Sequence, residues 1–240
     1  MGTSYNPRIV TDGLVLCLDA ANTRSYPGTG TTWTDLKGDN DGTLNNMDAN
    51  FVNDNAGGLT LDGTDEYISI PLPSTANGSP NQSFTISASL NLTSLTGGNS
   101  DISMSNYGIS STTGFFALHF SNKSTLATVR SWIRNTSGGQ ATTSYVEFLR
   151  AEYNYLTFVR DADLNKIYVY VNNKNGTLSS SANFTGSHSA VASNNNDSFY
   201  LGKHLSAYSV GKFYQYHVYD RALSAEELRQ NYLATKGRYK

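Results

Sequence analysis

The sequence predicts an all-β fold, a sandwich or barrel of short strands closed by one C-terminal helix. Three observations carry this reading. Apolar, β-prone segments recur between clusters of Gly, Asn, Asp and Ser. The stretch "FTISASLNLT" alternates apolar and polar residues along its length. Only the ending "VYDRALSAEELRQNYLATKGRYK" carries the capping residues of a helix.

In order along the chain, strands are predicted over Leu14 to Leu18, Leu59 to Leu61 and Tyr67 to Ile70. The alternating segment follows: Phe84, Ile86, Ala88, Leu90 and Leu92 share one face, and Thr85, Ser87, Ser89 and Asn91 share the other. That period of two describes a strand with a buried face and a more polar one. Further strands are predicted over Phe115 to Phe120, Ala127 to Ile133, Tyr145 to Leu149, Tyr155 to Val159, Ile167 to Val171, Phe199 to Leu201 and Phe213 to Tyr219. Two Gly-containing steps offer the positive φ of tight hairpin turns: Asp62-Gly63 in "LTLDGTDEYISI", and Asn175-Gly176 after "IYVYVNN". The segment from Thr23 to Asn55 is rich in Gly, Asp and Asn and reads as long loops at one end.

Ser224 is a good N-cap and Glu227 completes a capping box. Leu223 and Leu228 form a hydrophobic staple, Leu228 and Tyr232 make a narrow apolar stripe, and Gly237 suits the stop. The helix, over about 224–236, reads as a clasp that covers an edge or end of a sheet.

The chain has 240 residues, within the range of one large all-β domain, and no linker, charge block or internal repeat divides it. It contains 21 Gly, 16 Tyr and 10 Phe, only 15% of its residues are charged, and the formal net charge is −2. Lys and Arg are scattered singly rather than in a basic stripe, which argues against nucleic acid as a partner. The single cysteine, Cys17, allows no intramolecular disulfide and reads as a small buried hydrophobe. No apolar run approaches the ~18 residues that cross a bilayer, so no membrane insertion is expected. The start "MGTSYNPRIVTDG" lacks the basic and apolar regions of a signal peptide, and no cleaved leader is expected.

Four blocks in order, "GLVLCLDAANTRSYPGTGTTWTDLKGDNDGTL", "LTLDGTDEYISI", "FTISASLNL" and "HVYDRALSAEELRQNYLATKGRY", resemble laminin-G-like, concanavalin A-like domains of phage virion and secreted bacterial proteins. The family often has Trp where Ser89 stands and an Asn-Gly turn where Asn172 and Asn173 stand. The resemblance implies a two-sheet antiparallel jelly-roll sandwich over residues 1–240. It also implies a mostly non-enzymatic role: adhesion to glycans or proteins, sometimes with Ca²⁺, on the surface of a virion. The expected partners are then other virion proteins and host cell-surface carbohydrate, with many copies on one particle giving avidity. Export by a non-classical route to the cell exterior is the alternative location.

No residue points to catalysis. A retaining glycoside hydrolase needs two carboxylates about 5–5.5 Å apart, and no acidic strand occurs. Asp161 and Asp163 read as turn residues, and Glu227 is occupied as a cap. His119, His188, His204 and His217 are far apart in sequence and lack metal-ligand spacing, and His119 and His217, among strand aromatics, read as packing or hydrogen-bonded residues. For a cation, Ca²⁺ fits best, since it takes hard oxygens from loops. Asp39 with Asp41, and Asp62 with Asp65, are the candidate ligands, and the same residues are equally good turn formers. For a glycan, Tyr107, Trp132 and the Tyr-rich "FYQYHVY" are the candidate contacts. A stand-alone, Ca²⁺-dependent carbohydrate-binding module or lectin is the second reading, and a glycoside hydrolase the third.

Overall fold

A computed structural model describes residues 7–47, 51–52, 57–76, 82–96, 101–105, 116–122, 126–134, 140–142, 145–173, 178–181, 198–204 and 207–239. Its elements are β1 (Leu14–Asp19), β2 (Thr32–Trp33), β3 (Gly42–Asn45), β4 (Phe51–Val52), β5 (Gly58–Asp62), β6 (Tyr67–Pro71), β7 (Phe84–Thr96), β8 (Asp101–Ser105) and β9 (Phe116–Asn122). There follow β10 (Leu126–Arg134), β11 (Gln140–Thr142), β12 (Val146–Leu149), β13 (Asn154–Asp161), β14 (Lys166–Asn173), β15 (Leu178–Ser181), β16 (Ser198–Leu201), β17 (Lys203–His204), β18 (Ala207–Tyr219) and α1 (Ala225–Thr235).

The strands form two antiparallel sheets. The first runs β15-β14-β13-β7-β18-β5-β4, with β1 and β17 also on β18; the second runs β11-β10-β9-β8-β16-β6-β3-β2, with β12 also on β10. Their inner faces meet in one core. Leu16, Leu18, Ile86, Leu90, Phe158 and Val218 come from the first sheet, and Trp33, Leu44, Ile68, Ile70, Phe199 and Leu201 from the second. All are buried, and each contributes about 1.5–3 kcal/mol by leaving water. This is the sandwich that the alternating pattern predicts.

Two expectations need correction. Asp62-Gly63 does not close a hairpin, because β5 pairs with β18 and β4 in the first sheet while β6 pairs with β16 and β3 in the second. Gly63, at φ 82°, turns the chain from one layer to the other. A turn signal records the chain reversal but not which sheet receives the next strand. The stretch from Thr23 to Asn55 also holds more than loops, since it contains β2, β3 and β4, and its Trp33 is fully buried. Asn175-Gly176 lies outside the described residues, although the strands on either side of it, β14 and β15, pair antiparallel.

The polar face of β7 is not solvated. Thr85, Ser87 and Ser89 are as buried as their apolar neighbours, because α1 and the chain around Val10 lie over the outer face of the first sheet. The clasp therefore covers a sheet face rather than an edge or end. Its local chemistry is as predicted: Glu227 N–H donates to Ser224 Oγ at 3.3 Å, and Ser224 N–H donates to Glu227 Oε2 at 2.8 Å. Arg221 clamps the same carboxylate at 2.6 and 3.1 Å, which holds Glu227 down to about 2. Gly237 is not a left-handed stop; the helix runs on into a 3-10 turn over Lys236–Arg238.

Under the clasp the buried polar groups join across elements. Asn231 Oδ1 accepts from Val10 N–H at 2.7 Å, and Asn231 Nδ2 donates to Tyr219 Oη at 3.0 Å. Tyr153 Oη lies 3.0 Å from Ser89 Oγ and 3.2 Å from Thr235 Oγ1. Asp19 accepts from Gln215 Nε2 at 3.1 Å and Arg238 Nη1 at 2.6 Å. Tyr153, Tyr214 and Tyr239 pack ring on ring above this layer, with centroids 4.5–6.0 Å apart.

His217 sits in the middle of this layer, paired in register with Cys17 and Ser87. It is 1% exposed, and neither ring nitrogen has a hydrogen-bond partner among the described residues. Burial pulls its imidazole down to about 4; the Asp19 carboxylate opposes that shift and the Arg238 guanidinium adds to it. An unfolded histidine titrates near 6.5, so on acidification the unfolded chain takes up this proton first. The stabilisation is complete above pH about 6.5 and is lost as pH falls towards 4, about 3 kcal/mol in all. In urea unfolding, the stability of the native chain relative to His217→Gln is expected to fall across that window; a constant difference would contradict this placement of His217.

Candidate functional site

The two sheets differ in what their outer faces meet. That of the first lies largely under the clasp, whereas that of the second presents half-buried or exposed residues on β3, β6 and β16. Thr43, Ser69 and Tyr200 occupy one cross-strand row on β3, β6 and β16, with Asn45 paired to Tyr67 in the next row. Their neighbours along each strand, Leu44, Ile68, Ile70 and Phe199, point into the core, which fixes the outward direction of this set.

Tyr67 and Tyr200 form a tilted aromatic pair, with centroids 6.0 Å apart and planes at 51°. Burial and the Tyr67 phenol raise the Tyr200 hydroxyl above its ordinary range, so it stays a neutral donor. Lys203 Nζ lies 4.2 Å above the Tyr67 ring and 5.7 Å from the Tyr208 ring. Asn45 Nδ2 donates to Thr43 O at 3.0 Å and Ser69 Oγ at 3.1 Å, which fixes the amide on the face. Gly202 sets the position of Lys203. At φ 83° it carries the chain from β16 in the second sheet to β17 in the first, and a Cβ there would lie 2.5 Å from Leu61 Cδ1. The result is an aromatic patch with a fixed cation and hydrogen-bonding groups, which can hold a ring with one apolar face and several hydroxyls.

Of the residues singled out from sequence, Trp132 falls in register with this site. The pairs Tyr200–Ser105, Ser105–Ala117 and Ala117–Trp132 extend the Ser69–Tyr200 row three strands further, about 14 Å at the usual strand spacing. Tyr107 lies outside the described residues. Tyr214, Tyr216 and Tyr219 of "FYQYHVY" are buried in the core and under the clasp, so they offer no ligand surface. The helical and turn acids behave structurally, with Asp161 Oδ1 accepting from Leu164 N–H at 2.9 Å.

The candidate cation ligands are likewise engaged in turns. Asp41 Oδ1 accepts from Asp35 N–H at 2.8 Å, and Asp62 Oδ1 accepts from Thr64 N–H at 2.7 Å. Asp39 and Asp65 are exposed. The buried carboxylate in the first loop is Asp35, whose Oδ1 accepts from Cys17 and Lys37 N–H, both at 2.9 Å. Among the described residues no three His, Cys, Asp or Glu side chains gather where a metal could be held. A second depression, of about 140 Å³, lies on the first sheet between Thr60, Asn91, Val210 and Lys212. It is lined mainly by aliphatic atoms and lacks aromatic rings.

Tyr67, Tyr200 and Lys203 were not legible as a site from sequence. They come from two separate stretches, and only the pairing of β6 with β16 brings the rings together. The available signal was the outward phase of each strand, with Tyr opposite Ile or Phe.

The family model described as concanavalin A-like lectin/glucanases superfamily matches residues 62–229. No curated protein sequence matches the chain. Among solved structures, a Trypanosoma rangeli sialidase in complex with sialic acid superposes with a TM-score of 0.66 at 18% identity, covering 99% of this chain and 37% of the sialidase. The receptor binding domain of a botulinum neurotoxin C/D mosaic serotype gives a TM-score of 0.61 at 10% identity, over 94% of this chain and 51% of that one. The binding domain of botulinum neurotoxin serotype G gives 0.60 at 13% identity, over 91% and 50%. The chain thus spans about a third to a half of these proteins, and at such identities the likeness is one of fold.

Proposed function

The chain belongs to the concanavalin A-like lectin/glucanases superfamily, and from that premise we propose that it is a non-catalytic adhesion protein that binds carbohydrate through the outer face of its second sheet. The observation that carries the reading is the Tyr67–Tyr200 pair, set half-open beside Lys203, Asn45 and Ser69. A sugar ring can lay its apolar face on the phenols while its hydroxyls reach the polar groups around them. The fold neighbours include a sialidase solved with sialic acid and a receptor binding domain, which agrees with a recognition role for the architecture. The sialidase activity is not carried over, because the chain spans about a third of that enzyme.

The finer reading is a virion surface protein present in many copies. Its support is the resemblance of the opening, hairpin and closing blocks to phage virion domains. Weak single contacts would then be multiplied on one particle. Asp41 and Asp62 already serve as turn acceptors, so sugar binding should survive chelation of divalent cations.

Glycan-array binding of the full chain is expected, and Tyr67→Ala with Tyr200→Ala should lower it at least tenfold with little change in melting temperature. Loss of binding on chelation would favour the Ca²⁺-dependent lectin, and turnover of a β-glucan would favour the hydrolase. Mass spectra of purified virions are expected to contain the chain at many copies; its absence would remove the virion reading.

A further inference from the structure

Among the described residues Lys203 has no carboxylate partner. Its ring contacts are with Tyr67 and Tyr208, and among the described residues it makes no ion pair and no hydrogen bond; the carboxylate pairs recorded belong to Arg221 and Arg238. The acids of the turn between β5 and β6 make hydrogen bonds of their own or lie exposed. Glu66 is buried and accepts from Asp62 N–H at 2.6 Å, Asp62 caps Thr64, and Asp65 is exposed on the turn. A cation over an aromatic face gains about 0.5–1 kcal/mol at an exposed site. That attraction fixes the ammonium in place but leaves its N–H donors available to a ligand.

The polar groups around it are matched to an anion with a hydroxylated body. The Tyr67 and Tyr200 hydroxyls have no hydrogen-bond partner among the described residues, so each can donate. Asn45 uses its Nδ2 on Thr43 and Ser69, and its Oδ1 remains an acceptor for a hydroxyl. Charge-assisted hydrogen bonds are roughly twice as strong as neutral ones, so the fixed ammonium would dominate selection among sugars of similar shape.

We propose that the ligand of this face is an acidic sugar, whose carboxylate or sulfate pairs with Lys203 Nζ while its ring rests on the Tyr67–Tyr200 pair. This rests on the carbohydrate-binding reading and adds the charge of the ligand to it. No covalent step is involved; the anion exchanges its water for Lys203 and the flanking phenol hydroxyls.

The test compares the full chain on matched glycans that are neutral, carboxylate-bearing or sulfated. Acidic members should bind at least tenfold more tightly, and binding should weaken as ionic strength rises. Lys203→Gln should remove that preference, bringing acidic glycans down to the affinity of neutral ones, and Lys203→Arg should restore part of it. The better of the two acidic panels identifies the anion. Equal binding of acidic and neutral glycans, untouched by Lys203→Gln, would overturn the inference and leave the carbohydrate reading intact. No binding to any glycan, with Tyr67→Ala also silent, would overturn the carbohydrate reading itself. Should Lys203→Gln unfold, acidic-glycan binding by the native chain that does not change with salt overturns the inference.

Discussion

The polar outer face of the first sheet has to be sealed. Thr85, Ser87, Ser89, Thr157, Gln215 and His217 are buried across its central strands. A hydroxyl or amide removed from water costs roughly 1–3 kcal/mol unless it finds a partner. The sheet supplies some of these partners itself, since Ser87 Oγ and Thr157 Oγ1 lie 2.9 Å apart and Gln215 Nε2 donates to Asp19 Oδ2 at 3.1 Å, while His217 has none among the described residues. The ends of the chain then tie into the layer: Asn231 of the helix bonds Tyr219 and the Val10 backbone, Thr235 bonds Tyr153, which also bonds Ser89, and Arg238 and Tyr239 bond Asp19. The helix and the terminal Arg238 and Tyr239 form the other half of that hydrogen-bonded layer.

This seal divides the labour between the sheets. The first has the core within and the clasp over much of its outer face, with the depression at Thr60, Asn91 and Lys212 left open. The second keeps an outward face, and the two crossings at one corner, through Gly63 and Gly202, build its aromatic patch. One crossing delivers Tyr67, and the other leads from Tyr200 to Lys203. A corner that has to change sheets at two glycines thus places a cation of the first sheet over a ring of the second.

Much of this was written in local sequence, and the part that was not has a physical reason. The alternation from Phe84 gives the inward set correctly, since a period of two is fixed by backbone geometry. Ser224, Glu227, Leu223 and Leu228 announce the helix because capping is decided within one turn. Alternation says which residues share a face but not what will cover it, and so the polar side of β7 reads only as the more polar face. Asp62-Gly63 reads as a hairpin because both a hairpin and a sheet crossing need the same positive φ. The Tyr-rich β18 resembles a ligand surface in composition, yet it lies inside the first sheet, flanked by β7, β5 and β1. The site itself is a product of register between strands far apart in the chain, which no single stretch encodes.

The central claim is that the clasp closes one face and leaves the other to the ligand. Amide hydrogen exchange of the full chain, with and without an oligosaccharide that it binds, tests it most directly. The account expects added protection over residues 43–45, 67–71 and 198–203, with residues 225–239 slow to exchange in both states. Protection that instead appears over 225–239, or a clasp that exchanges freely without ligand, would contradict it.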